Sequence, residues 1–95
     1  MFENIKDLDD LKFKRLTGVT KKIFDLMVQI LSEENKKLKA KGGRKNKLSI
    51  ENQLLMTLEY LRDDRTYFHI GKSRGISESS AYKTVKWVEN TLIKS

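Results

Sequence analysis

The spacing of the apolar residues is the feature that most restricts how this chain can fold. Apolar side chains recur every three or four positions through most of the 95 residues, alternation typical of strands is nearly absent, and there is no proline. Such spacing places apolar residues on one face of a helix. The clearest case is a face made of Ile23, Phe24, Met27, Ile30 and Leu31. The pattern predicts an all-α protein, a small helical domain of four to five helices.

Capping residues and glycines divide this pattern into helices. Gly18 is placed to end a first helix anchored by Leu8 and Leu11, and Thr20 to begin a second that runs to about residue 38. Serine and threonine then predict three more helices, capped by Ser49, Thr66 and Ser77, over residues 50–62, 67–74 and 78–93. The first of these three carries an apolar stripe of Leu54, Leu55, Leu58 and Leu61.

Positive charge is concentrated in two parts of the chain, whose net charge is +7. Residues 35–47 hold seven basic and no acidic side chains, and residues 71–95 hold five basic and two acidic ones. Two glycines among like charges predict a basic flexible loop at 39–47, between an N-terminal helical segment (1–38) and a C-terminal unit (48–95), although one compact domain is also possible. The charge favours a polyanionic partner, most commonly double-stranded DNA, with a solvated basic surface as the alternative.

Several classes of site are disfavoured by composition. The chain has no cysteine and one histidine, so neither a disulfide framework nor a zinc site of cysteines can form. The aspartate pairs at 9–10 and 63–64 fall at predicted helix ends, where capping explains them better than two-metal catalysis. No apolar run approaches the roughly 20 residues of a membrane span. We therefore expect no cofactor, no metal, no catalytic residue and no membrane association.

The last two predicted helices have the spacing of a helix-turn-helix, which requires a sharp turn between them. Gly75 suits a first turn residue with positive φ, Ile76 can hold the turn against the core, and Ser77 can cap the second helix. Gly71, four residues before Gly75, allows the two helices to approach closely, opposite Ala81.

The last helix has the pattern of a DNA recognition helix. Its predicted buried stripe is Ala81, Val85, Val88 and Leu92, and its opposite face is Ser79, Lys83, Lys86 and Asn90, with Ser80 and Tyr82 on the flanks. Short polar side chains and lysines can reach base edges in the major groove. We expect the main DNA contacts from Ser79, Tyr82, Lys83 and Lys86.

Further residues are expected to contact the DNA backbone. Ser77 and Ser80 are candidates for phosphate binding, and Lys72 and Arg74 for a clamp on the backbone. The loop residues Arg44, Lys45 and Lys47 either follow the phosphates or belong to a solvated linker, with equal support for both. Trp87 is expected to pack against an N-terminal helix rather than stack on DNA. An ordinary helical hairpin with a lysine-rich face remains the alternative to the whole interpretation.

Residues 48–92 resemble the N-terminal helix-turn-helix of insertion-sequence transposases with Asp-Asp-Glu catalytic domains. The resemblance rests on four motifs, Tyr60-Leu61-Arg62, Arg65-Thr66-Tyr67, His69-Ile70-Gly71 and Gly75-Ile76-Ser77. Residues 13–31 are similar to the lead-in that precedes this unit. The resemblance implies recognition of the terminal inverted repeats of a mobile element, in the bacterial cytoplasm at the nucleoid. It also implies a nuclease domain after residue 95, so this chain is expected to be non-enzymatic as it stands.

Two other functions fit the sequence. One is a free-standing transcription regulator, which would need a homodimer to bind paired half-sites about one helical turn apart. The other is a protein-interaction module that binds a partner helix through the apolar face of residues 23–31.

Overall fold

The computed structural model describes residues 2–40, 48–63 and 65–94, with backbone alone at 39 and 40. Within these residues there are six helices and no strand: α1 (Phe2–Ile5), α2 (Asp10–Thr17), α3 (Lys21–Ala40), α4 (Ile50–Asp63), α5 (Tyr67–Ser73) and α6 (Glu78–Lys94). The all-α prediction is confirmed. The predicted DNA contacts Arg44, Lys45 and Lys47 lie outside the described residues, and α3 includes the first two residues of the predicted basic loop.

The predicted first helix corresponds to α2, which begins after Asp9 and so excludes Leu8. A separate short helix, α1, precedes it, which gives six described helices against the four to five predicted. Asp9 has an extended backbone (φ −66°, ψ 165°), and its Oδ1 accepts a hydrogen bond from the Lys12 amide at 2.8 Å. An N-cap with this conformation begins a new helix and cannot lie inside one. The apolar spacing around Leu8 and Leu11 concealed this break.

The other helix ends lie close to their predicted positions, because local capping chemistry determines them. Gly18 adopts the left-handed conformation (φ 87°) and its amide donates to the Lys14 carbonyl, which ends α2. The hydroxyl of Thr20 accepts from the Ile23 amide, and that of Ser49 from the Asn52 amide, each at 3.2 Å. These two residues begin α3 and α4.

The hydrophobic core has two adjoining parts. The first part draws on α2, α3, α4 and α6 through Phe13, Phe24, Leu31, Leu54, Leu55 and Val88. Phe24 is its aromatic centre, because Phe2 stacks on it at 5.5 Å and Phe13 meets it edge-on at 5.3 Å. The second part joins α4, α5 and α6 through Met56, Ile70, Ala81 and Val85. Trp87 packs against the first part, where the N-terminal helices lie, as predicted.

Three of the residues expected on apolar faces are exposed instead. They are Leu11 (68%), Ile23 (44%) and Leu61 (60%). In α4 the reason is its central position. Leu54 and Leu55 face the first part of the core while Met56 faces the second, so α4 does not bury one narrow stripe. On α3, Phe24 and Leu31 are buried in the core, so the face expected to bind a partner helix is largely used within the chain.

Candidate nucleic-acid interface

Local hydrogen bonds build the turn between α5 and α6. Thr66 caps α5, since its Oγ1 accepts from the His69 amide at 3.2 Å. At the other end Gly75 has φ 72°, and the Ile76 amide donates back to the Gly71 carbonyl at 2.9 Å. Ser77 Oγ accepts from the Ser80 amide at 3.1 Å and begins α6. The predicted roles of Gly75 and Ser77 in the turn are confirmed.

Gly71 lies where α5 and the start of α6 approach most closely. A Cβ atom at this position would be 2.9 Å from both the Ile76 and the Ser77 carbonyl oxygens and 3.3 Å from Ala81 Cβ. Contacts this short with backbone atoms cannot be relieved by rotating a side chain. The angle between α5 and α6 therefore depends on residue 71 being a glycine, which has no side chain.

The structure separates the two faces of α6 as the helical projection predicted. Ala81, Val85 and Val88 are completely buried, and Leu92 is half-buried. Thr84 is also buried, which the projection missed. The exposed surface of α6 brings together the six residues predicted on its outer face and flanks, namely Ser79, Ser80, Tyr82, Lys83, Lys86 and Asn90. We call these six residues the α6 outer face.

Two other predicted contacts flank the α6 outer face. Lys72 is exposed on α5, and Ser77 is exposed at the start of α6. The hydroxyl of Ser77 already caps the helix and donates to Ser80 Oγ at 3.0 Å. The first turn of α6 presents its amides together with these two hydroxyls, an arrangement suited to an anion such as a phosphate.

Arg74, another predicted contact, is largely buried and is engaged within the chain. Its side chain is 13% exposed, and its Nη2 lies 2.6 Å from Oε2 of Glu59 on α4. Arg65, just before α5, binds the other oxygen of the same carboxylate at 3.2 Å. Glu59 thus holds both ends of α5 to α4. Sequence reasoning did not find this role, since no local spacing links residue 59 to residue 74.

Tyr60 and Tyr67 were also missed as neighbours of the site. Their rings stack at 4.4 Å with an interplanar angle of 13°, and Tyr67 meets Tyr82 edge-on at 5.2 Å. Hydrogen bonding to the Tyr60 hydroxyl, with a smaller effect of burial, raises the pKa of Tyr67 to about 12. Lys86 Nζ lies 5.8 Å from the centre of the Tyr82 ring. Both missed tyrosines occur in the motifs behind the family resemblance, which was the available signal.

Neither a cluster of metal ligands nor a membrane-spanning helix occurs in the described part of the chain. Among these residues no three of histidine, cysteine, aspartate and glutamate come together to hold a metal ion. None of the helices in the same residues is long and apolar enough to cross a bilayer. The groups collected at the candidate interface are lysine ammonium groups, hydroxyls, an amide and a phenol.

Comparison with known proteins gives two matches. Residues 46–95 match the family described as helix-turn-helix of DDE superfamily endonuclease. Over 93 residues, 98% of the chain, the sequence is 47% identical to the probable transposase for insertion sequence element IS702 of Microchaete diplosiphon. The chain spans 33% of the length of that relative. No solved structure matches the chain.

Proposed function

Because this chain belongs to the family of helix-turn-helix domains of DDE superfamily endonucleases, we propose that α5, the turn and α6 bind double-stranded DNA. The α6 outer face enters the major groove. The observation that carries the proposal is the division of α6, where Lys83 and Lys86 are exposed directly opposite the completely buried Val85 and Val88. When one face of a helix is packed against the core, its opposite face is held in a fixed orientation and can contact base edges in the groove.

Phosphate contacts follow from the positions of the flanking groups. The first turn of α6, with Ser77 and Ser80, binds one backbone phosphate, and Lys72 on α5 contacts the backbone beside it. Arg74 has a positioning role instead, because its charge is committed to Glu59. The segment after α3 contributes further positive charge to the contact with DNA, through Arg44, Lys45 and Lys47.

The proposed target is the set of terminal inverted repeats of a mobile element. The similar protein from Microchaete diplosiphon is named as a probable transposase for an insertion sequence element. A transposase must distinguish the ends of its own element from other DNA, and sequence-specific binding supplies that distinction. We assign recognition to these 95 residues and strand cleavage to a different part of a longer protein. A nucleoid location in a bacterial cytoplasm follows from this assignment.

The test is binding of fluorescently labelled duplex DNA, followed by anisotropy at several salt concentrations. The parent chain should bind, and its affinity should fall steeply with salt because binding releases counterions. Lys83→Ala with Lys86→Ala should weaken binding roughly tenfold or more, through lost base or phosphate contacts. Each lost phosphate contact should also lower the salt slope by about 0.9.

A matched variant separates position from net charge. Lys12 and Lys14 are exposed on α2, so Lys12→Ala with Lys14→Ala removes the same charge away from α6. This control should bind nearly as well as the parent. Equal weakening by both double variants, with helicity by circular dichroism unchanged, would mean that binding depends on overall charge and that α6 is not the recognition helix.

A further inference from the structure

Three tyrosine rings from three different helices form a continuous series of ring contacts that ends on the α6 outer face. Tyr60 of α4 and Tyr67 of α5 lie nearly parallel at 4.4 Å, and the ring of Tyr82 on α6 stands at 84° to that of Tyr67 at 5.2 Å. The first two rings are half-buried, whereas Tyr82 is 48% exposed. We call the three residues the tyrosine column. Its outer end is the only ring of the three that a ligand can reach easily.

The column holds the Tyr82 ring in one orientation. An isolated tyrosine on a helix surface moves between rotamers, but here Tyr82 has two neighbours: the Tyr67 ring meets it edge-on at 5.2 Å, and the Lys86 ammonium lies 5.8 Å from the ring centre. The rings of Tyr60 and Tyr67 are themselves held by their stacking on each other. A contact group ordered before binding loses less freedom when the ligand arrives.

The chemistry of an exposed ring in the major groove restricts what it can read. The groove edge of a base pair presents hydrogen-bond donors and acceptors and one apolar feature, the C5-methyl group of thymine. Aromatic side chains supply apolar contact for that methyl. The neighbouring Lys86 can donate to an acceptor on the same or the next base pair. Tyr82 and Lys86 together thus match a thymine methyl beside a hydrogen-bond acceptor.

We propose that Tyr82 reads a pyrimidine C5-methyl group and that Tyr67, supported by Tyr60, is the positioning residue that sets the angle of the reading ring. The inference rests on the proposed DNA-binding function and adds the chemical feature that is recognised. It also assigns a specificity role to two residues of α4 and α5 that do not belong to the recognition helix.

The experiment begins with selection of binding sites from a random duplex library. Each thymine of the selected site is then replaced singly by deoxyuridine, which removes only the C5-methyl group. The parent should bind one such duplex several-fold more weakly. Tyr82→Ala should bind that duplex and the unmodified one equally. Tyr67→Leu should reduce the thymine-to-uracil ratio towards one, while Tyr67→Phe, which keeps the ring, should retain most of it.

A matched aromatic control tests whether any exposed ring has this effect. Phe68 is 53% exposed on α5 and meets the His69 ring at 5.7 Å, outside the tyrosine column. Phe68→Ala should keep the full thymine-to-uracil ratio. This ratio compares two duplexes with one protein, so a loss of folded protein does not change it. If Tyr67→Leu does not fold, Tyr60→Leu, which removes the ring stacked on Tyr67, supplies the comparison and should also reduce the ratio.

The outcomes separate this inference from the function on which it rests. A library that yields no enriched sequence contradicts sequence-specific binding itself. An enriched sequence with a thymine preference that survives Tyr82→Ala leaves DNA binding intact and overturns methyl reading by this ring. A preference lost in Tyr82→Ala but unchanged in Tyr67→Leu would overturn the positioning role of the column.

Discussion

At the scale of single residues, Gly71 has the most direct control over the shape of the helix-turn-helix. Gly71→Ala would place a Cβ atom 2.9 Å from two backbone carbonyl oxygens. Overpacking of this kind costs about 1–3 kcal/mol, and the higher helix propensity of alanine returns up to about 1 kcal/mol of it. We expect a net loss of about 1–2 kcal/mol in the free energy of unfolding, measured by urea denaturation.

A control for Gly71→Ala comes from the next residue of the same helix. Lys72 is exposed, so Lys72→Ala should change the free energy of unfolding by about 0.5 kcal/mol or less. The alanine at 71 should also weaken DNA binding in excess of its effect on stability, because it rotates α6 away from α5. Unchanged stability in Gly71→Ala would show that the two helices can separate slightly at no cost.

At the scale of helices, Glu59 fixes α5 against α4. Its carboxylate pairs with Arg74 at 2.6 Å and Arg65 at 3.2 Å. Within the described residues the buried Nε of Arg74 has no hydrogen-bond partner, so Glu59 is the main compensation for that buried charge. Glu59→Gln should lower the free energy of unfolding by about 1–3 kcal/mol, since a largely buried guanidinium loses its counter-charge.

Two further variants make the Glu59 prediction specific. Glu34 forms an exposed ion pair with Lys37 at 3.9 Å, so Glu34→Gln makes the same chemical change at the surface. It should change stability by about 0.5 kcal/mol or less. Replacing both partners, Glu59→Leu with Arg74→Met, should recover most of the loss from Glu59→Gln, because no unpaired charge remains. A cost from Glu59→Gln no larger than that from Glu34→Gln would contradict this account.

Helix ends and the two faces of α6 could be predicted from the sequence, whereas contacts between helices could not. Gly18, Ser49 and Ser77 act through hydrogen bonds to residues three or four positions away, so their spacing contains the information. The pairing of Arg74 with Glu59 depends on how α5 crosses α4, and so does the stacking of Tyr60 on Tyr67. Periodicity also assumes one buried face per helix, which fails for α4 because other helices surround it.

At the scale of the whole molecule, the N-terminal helices and the helix-turn-helix share a core. Phe24 of α3 and Val88 of α6 belong to the same buried cluster, and Trp87 packs against it from the helix-turn-helix side. We propose that the chain unfolds as one cooperative unit, in preference to separate units at 1–38 and 48–95. Trp87 is the only tryptophan of the chain, so the fluorescence signal comes from a residue of the C-terminal half that packs against the shared core.

Residue 24 and the fluorescent residue Trp87 lie in different halves of the chain. Phe24→Ala removes a completely buried ring from α3 and should lower the free energy of unfolding by about 3–5 kcal/mol. The fall should be equal by circular dichroism and by Trp87 fluorescence, although residue 24 lies in the N-terminal helices. Ile23→Ala is the control, because Ile23 is 44% exposed beside Phe24 and its loss should cost about 1 kcal/mol or less. If Phe24→Ala does not fold, Phe24→Leu permits the same comparison.

Two separate transitions, or a Trp87 midpoint that does not move with the α3 variants, would show that the helix-turn-helix is stable without the N-terminal helices. Coincident shifts would instead mean that α1, α2 and α3 support the recognition helix, because the core that holds Val88 and Trp87 of α6 is built largely from their side chains.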